Sequence, residues 1–515
     1  MKSAILSRRL AFAAVLPLLL LPSGILASNE TIDVDSWIYP AFRTLELAGM
    51  VDLPPRMPWT RSEAEFFLDR ALQSLGDGGA APTARQGFLL ERLKGEFHGK
   101  ASRPADREDG PLWCMREGAR FAAFDLSAGA SYGKNAPAGR EGPSGSAVPE
   151  LLADLGRGLT LFSSYSARLE RESGSNVSGE KPSPREKSFR GLRSEYRRGY
   201  ISVTGNRWAL LAGRDHIHWG PGRDEGLIMS RTAGSIDQIS AMVEMGRFRL
   251  SAVQAVLDPE IPRRLAGHRL EISLPRKIRL GISETVVYTG RGLDFSYLIP
   301  AGSFYANQYN ERDDDNILWG LDLKVPLRAG MIAHGELLVD DFQYEGRGTA
   351  PDRLAFNISI EALAAPFGRD VEITAGYTYV DIFTYAHKDS LLARYVTGDG
   401  DPLVNPIIGS PLGPDSDRWN LGASVAITAR FTAEAGVTLT RRGDGNDLRE
   451  WERGSDPDPS FPSGTTLDER IFLLGGSFDL GKGSSVFGSA GLARFTGPDR
   501  DGDGSFAYLG MVLDF

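Results

Sequence analysis

The chain has 515 residues, 24% of them charged, with a formal net charge of −9, 60 glycines and a single cysteine. The acidic balance argues against nucleic acid as a partner. One cysteine, Cys114, excludes an internal disulfide framework and reads as a buried or interfacial thiol rather than a nucleophile.

The first 27 residues have a basic start (Lys2, Arg8, Arg9), an apolar run from Leu10 to Leu21 and a small residue at Ala27. This is the layout of a secretory signal peptide, expected to be cut between Ala27 and Ser28. Arg8-Arg9 hints at twin-arginine export, but Ala11 stands where that signal wants an aromatic residue, so export of an unfolded chain is expected. No later apolar run is long enough to cross a bilayer as a helix. The remaining length fits two or three soluble domains or one large barrel.

Residues 28–110 read as a periplasmic helical unit and linker. Tyr39, Phe42, Leu45 and Leu47-Ala48 recur at helical spacing, and Gly49 is placed to stop that helix. Thr60-Arg61-Ser62-Glu63 has capping-box spacing and opens a second helix with apolar Ala64, Phe67, Leu68, Ala71 and Leu72. Gln86–Phe97 is expected as a third. The unit is expected to pack on or inside the mouth of a barrel formed by the rest of the chain, as a plug, a spacer or a functional module.

From 111 to 515 the dominant pattern is alternation. Leu354, Phe356, Ile358 and Ile360 alternate with Ala355, Asn357, Ser359 and Glu361; Trp319, Leu321, Leu323 and Val325 alternate with Gly320, Asp322 and Lys324. Successive side chains of a strand face opposite ways, so each segment has one apolar and one hydrophilic face. A soluble sandwich would alternate likewise, but here the connectors sort by parity. Ala429-Arg430, Pro326–Gly330 and Gly205-Asn206 are short, whereas 172–190, 218–234, 289–315, 386–418 and 442–468 are long. Tight periplasmic turns and long external loops in strict order mark an all-β, antiparallel outer-membrane barrel. Counting back from the end gives about 18 strands; the segment at 149–156 is the weakest, and without it and its partner 16 would remain. Asp322, Lys324, Glu361 and Glu434 are then expected to face a watery lumen, since unpaired backbone groups in lipid force the sheet to close.

Gly213–Arg223 ends one strand and enters a long connector expected outside the cell. Its Trp219-Gly220-Pro221-Gly222 turn carries an aromatic face beside Arg214, Arg223 and Asp224. Trp219 reads either as an interfacial girdle tryptophan or as a sugar-stacking platform, with the charged neighbours bonding hydroxyl or uronate groups. His216 and His218 form an H-x-H pair that would need a third ligand to hold a metal. Asp499, Asp501 and Asp503 have the spacing of a calcium loop, but the twelfth position is Gly510 inside the last strand. They fit a weak external calcium site or a solvated hairpin tip; no other cofactor is expected. In the final strand Met511, Leu513 and the terminal Phe515 continue one apolar face.

Ser36-Trp37, Leu45-Glu46-Leu47-Ala48-Gly49 and Pro58-Trp59-Thr60-Arg61-Ser62-Glu63, together with Trp219-Gly220-Pro221-Gly222 and Leu227-Ile228-Met229-Ser230, resemble the Wzi-type capsule assembly family. The resemblance implies an 18-stranded outer-membrane barrel with a periplasmic helical bundle that holds capsular polysaccharide on the cell surface, without catalysis. The Met511, Leu513, Phe515 ending resembles the signal read by the barrel-insertion machinery. The implied partners are the outer membrane with its lipopolysaccharide, surface polysaccharide and that machinery; oligomeric state stays open. The first unit also resembles one S-layer-homology repeat, which would make the chain a diffusion porin instead.

Overall fold

The computed structural model describes residues 29–514 apart from 77–80, 99–110, 119, 135–141, 171–186, 190–191, 223–225, 259–261, 301, 312–314, 342–350, 388–394, 398–406, 447–450, 453, 457–458, 482 and 499–500. The segment expected as a signal peptide, Phe515 and Asp499 therefore lie outside the described residues.

Eighteen antiparallel strands close into one barrel. They are β1 Arg120–Lys134, β2 Gly142–Asp154, β3 Leu159–Glu170, β4 Leu192–Gly205, β5 Trp208–Asp215 and β6 Ile236–Met245. Then come β7 Phe248–Asp258, β8 Arg263–Ser273, β9 Arg279–Tyr288, β10 Asn316–Arg328, β11 Met331–Asp341 and β12 Arg353–Ala364. The last six are β13 Val371–Val380, β14 Ser416–Ala426, β15 Phe431–Arg442, β16 Leu467–Gly481, β17 Ser484–Thr496 and β18 Gly502–Asp514. The segment expected over 149–156 is the long strand β2, so the even count is 18.

Closure is by β18 on β1, with Leu513 opposite Ala128 and Ala507 opposite Lys134. The start of β1 runs past the end of β18, and there a short strand, Trp113–Glu117, takes over as its partner, with Trp113 opposite Phe124. Cys114, on that strand, packs partly buried against the cluster around Phe121. The lipid-facing wall carries the apolar half of the alternation: Ile358, Ile360, Leu321 and Leu323 are all exposed. That arrangement is what bilayer burial selects.

The N-terminal segment forms three helices, α1 Ile38–Leu47, α2 Arg61–Gly76 and α3 Ala84–His98. Gly49 (φ +82°) ends α1: its N–H donates to Glu46 O at 2.8 Å and the Met50 N–H donates to Leu45 O at 3.0 Å. That is the pair of bonds of a Schellman cap. Thr60 and Glu63 cap α2 reciprocally, Thr60 N–H donating to Glu63 at 2.9 Å and Glu63 N–H to Thr60 Oγ1 at 3.3 Å. Thr83 and Gln86 repeat the device on α3, both bonds at 3.2 Å. This second capping box went unread in the sequence because a glycine- and proline-rich stretch precedes it. Phe42, Leu45, Trp59, Leu68, Leu93 and Phe97 form the core of the unit.

Candidate functional site

The helical unit sits inside the barrel, held by charges that pair across the gap. Lys324 of β10 donates to Glu46, to Asp52 at 2.8 Å and to the Leu53 carbonyl. Arg43 of α1 reaches back to Glu361 at 2.7 Å, with Glu46 and His334 beside it. Arg198 of β4 bonds Asp215 at 3.0 Å and Thr31, and Arg249 of β7 bonds Glu63 at 2.6 Å. Arg197 is the extra residue of a bulge in β4, and so both it and Arg198 reach Asp33. Burial raises the Glu46 carboxyl, but Lys324 and Arg43 outweigh it and hold the group below the usual carboxylate range. Glu63 behaves likewise: burial raises it, and Arg56 and Arg249 bring it well below that range.

From the other end of the barrel the β5–β6 connection folds inward to meet this unit. His218-Trp219 pair antiparallel with Arg56-Met57, and the Gly220 N–H donates to Pro55 O at 3.0 Å. Glu336 of β11 pins the segment by accepting the Gly222 N–H and the Leu227 N–H, each at 2.9 Å. Gly220 (φ +118°) passes so close to Glu336 that a Cβ there would lie 2.7 Å from its Oε1. Trp219 is 6% exposed and packs with Leu227, Ile228 and Met229 on lumen-facing Leu265, Leu318 and Leu338. The β13–β14 connection covers this layer: Tyr385 Oη donates to Leu227 O at 2.6 Å and Tyr395 Oη to Ile228 O at 2.5 Å. Plug and inward loops thus meet within the described lumen, beside clefts of about 380, 510 and 650 Å³.

The comparisons with known proteins point to the same architecture. The model of the capsule assembly protein Wzi family matches residues 118–503. The chain belongs to that family. Wzi of Escherichia coli, an outer-membrane carbohydrate-binding β-barrel involved in group 1 capsule assembly, has the same fold, with a TM-score of 0.62 at 15% identity over 95% of this chain and all of that one. OprD of Pseudomonas aeruginosa is more distant, with a TM-score of 0.44 at 10% identity over 76% of this chain and 95% of that one. No curated protein matches. Like its family, the chain is a bacterial outer-membrane barrel. The family match begins at 118, so the helical unit is joined to it by the fold likeness rather than by sequence.

Several expected site residues take other places. The segment around Trp219 turns into the lumen, so its ring faces neither the outer surface nor the lipid. The physical reason is apolar: Leu227-Ile228-Met229 gain more by covering Leu265 and Leu318 than by standing in water. Arg214 lies on the opposite face, on the outer wall, and pairs with Asp237 through two bonds of 2.7 Å. It does not converge with Trp219. Arg223 and Asp224 lie outside the described residues; Gly222 and Gly226, which flank them, are held inside beside Glu336 and His218. His218 uses both ring nitrogens, Nε2 on Gly222 O at 2.8 Å and Nδ1 accepting the Arg231 N–H at 3.3 Å. That leaves it no lone pair for a metal, and among the described residues no group of three metal-ligating side chains converges. Of the calcium-like loop, Asp501 is exposed and Asp503 lies 3.7 Å from Arg494. Met511 and Leu513 face outward, in register with β1.

The lumen also differs from a simple watery channel. Asp322, Lys324 and Glu361 are buried against partners, Asp322 on Arg269, whereas Glu434 is exposed and lines a cleft. Glu336 was not singled out in sequence; a lone carboxylate in an alternating strand carries no signal of what it will hold. Asp415 was missed too. At φ 53° it accepts the Gly445 N–H at 2.8 Å and the Ser463 N–H at 2.9 Å, tying the β13–β14 and β15–β16 connections together. Its Gly-Pro-Asp setting is the signal that turn chemistry would have offered.

Proposed function

We propose that this protein holds exported capsular polysaccharide at the outer surface of the cell, as a binder that performs no chemistry and needs no cofactor. The observation that carries the reading is membership of the Wzi family by a barrel whose lumen takes in a helical unit from one end and the β5–β6 connection from the other. Segments that enter the lumen from both ends suit a binder better than a passive diffusion channel. The glycan contacts we propose belong to the β5–β6 connection, where Arg223 and Asp224 offer charge-assisted bonds to hydroxyl or uronate groups of a chain entering the barrel mouth. Arg214, paired with Asp237 on the outer wall, is not part of the set. Trp219 then anchors that connection from inside instead of stacking on sugar. Asp499, Asp501 and Asp503 are the place for a weak calcium bridge, if glycan carboxylates complete its shell. Lipopolysaccharide surrounds the barrel, and Phe515, Leu513 and Met511 present the ending that the insertion machinery reads.

The test is capsule retention in a strain lacking this protein, complemented with the native chain or with Arg223→Ala and Asp224→Ala. Retention falls with the deletion and returns with the native chain. Unchanged retention in the deletion strain overturns the reading. A large steady conductance of the purified protein in planar bilayers, without glycan binding, establishes a porin instead.

A further inference from the structure

The β9–β10 connection leaves the rim toward the outside of the barrel wall. The facing of its flanking strands shows this. Asp322 and Lys324 of β10 meet lumen groups, so the alternate residues Trp319, Leu321 and Leu323 face outward. Register places Glu284 of β9 opposite Trp319, and His268 of β8 opposite Glu284, so all three share the outer wall. A carboxylate on that wall would be costly against lipid. Glu284 avoids the cost by capping a helix that the connection lays over it, α4 Phe304–Glu311. It accepts the Phe304 N–H at 2.9 Å, the Tyr305 N–H at 3.0 Å and the Trp319 Nε1–H at 3.0 Å, with His268 Nε2 at 3.3 Å. The carboxylate also meets the positive end of the helix.

A second apolar core forms there, outside the barrel. Ala266, Val286, Tyr288 and Ile317 of the wall are covered by Tyr297 and Phe304, their rings 5.1 Å apart. Arg291 fastens the ends through Asp294 at 2.8 Å and Asp315 at 2.5 Å. The covering segment then shows large apolar side chains on its own far side: Phe295 is 79% exposed, Tyr309 78% and Ile299 61%. Directly below on the same wall stand exposed Ile282, Leu321 and Leu323, which face lipid.

We propose that residues 293–299 together with α4 form an interfacial anchor seated on the outer leaflet, with Phe295 and Ile299 among acyl chains and Tyr309 at the headgroup boundary. The occupant of this face is lipid because these exposed apolar side chains sit over the outer wall of the strands that carry lipid-facing Ile282, Leu321 and Leu323, and a packed core holds them there. The anchor gives the loops a fixed tilt and depth on the membrane plane, where a surface polymer is met. The inference rests on the barrel spanning the membrane and is independent of glycan binding.

Nitroxide labels test it on the full chain carrying Cys114→Ser, reconstituted in palmitoyl-oleoyl-phosphatidylcholine vesicles, with one cysteine introduced at a time: Phe295→Cys, Ile299→Cys, Tyr309→Cys, Leu321→Cys as lipid reference and Asp501→Cys as water reference. Electron paramagnetic resonance power saturation compares collisions with oxygen and with a water-soluble nickel chelate. The oxygen-to-nickel ratio at 295 and 299 is expected to be several times that at 501 and to approach that at 321, with 309 between. Ratios equal to that at 501 overturn the proposal. Labels shielded from both reagents, with spin–spin broadening, also overturn it and assign the face to a second copy; shielding without broadening overturns it in favour of protein contacts within the chain. Retained heat-modifiable mobility on gels certifies each variant as folded, and the three positions stand in for one another if one fails.

Discussion

Two glycines and one carboxylate show how single residues set this structure. Gly49 ends α1 at φ +82° with no atom within 4 Å of where a Cβ would be. Gly49→Ala therefore tests backbone conformation alone and is expected to cost about 1 kcal/mol of stability, read as a small drop in the unfolding midpoint with unchanged bilayer behaviour. Gly220 combines positive φ with the approach to Glu336, so its substitution adds a clash with the group that holds the inward loop. Glu336 accepts two backbone N–H groups that nothing apolar could replace. Glu336→Ala is expected to leave both unsatisfied at about 1–3 kcal/mol each, releasing the segment around Trp219. Planar-bilayer recordings should then show openings that the native chain lacks; a silent variant would mean that the plug alone seals the lumen.

At the scale of elements, the plug is docked chiefly by ion pairs. Buried pairs add little over apolar packing but are costly to break from one side. Lys324→Met removes the cation that Glu46 and Asp52 share but leaves Arg43 on the one and Arg279 on the other. Docking is therefore expected to weaken by less than the about 3–5 kcal/mol of a fully stranded buried charge, seen as increased protease cleavage between the plug and β1. The same pairs set a pH window. Glu46, Glu63 and Asp33 are all held below their ordinary values, by Lys324 with Arg43, by Arg56 with Arg249, and by Arg197 with Arg198, each against the opposing effect of burial. A carboxylate with a lowered folded pKa contributes stability above its unfolded value and loses it as pH falls through the folded one. Docking should be insensitive to pH above about 5 and weaken progressively below the ordinary glutamate value of 4.5. Conductance or proteolysis measured from about pH 7 down to about pH 3 checks the sign: weakening on the alkaline side would contradict it.

At the scale of the molecule, a barrel entered by a plug from one end and by folded loops from the other is expected to conduct steadily only when both are removed. Deleting residues 29–98 together with Glu336→Ala should give a steady pore, and either change alone only intermittent openings. Steady conduction by the intact protein would show that the seals are not closed in the membrane.

Period-two alternation and connector parity were enough to expect about eighteen strands, with sixteen left open, and to tell the inside of the wall from the outside, because a pleated strand in lipid must sort its side chains by face and close its edges. The caps at Gly49 and Thr60-Glu63 were equally legible, being bonds between residues three to five apart. The course of the long connectors was not. Whether Trp219 turns into the lumen, whether α4 lies on the outer wall, and whether Lys324 meets water or Glu46 depend on which distant surfaces are left uncovered. Covering Leu265, Val286 or Glu46 removes apolar area or charge from water at sites far away in the chain. No local pattern of residues carries that information, so the barrel belonged to the sequence and the inward course of its plug and loops to the tertiary structure.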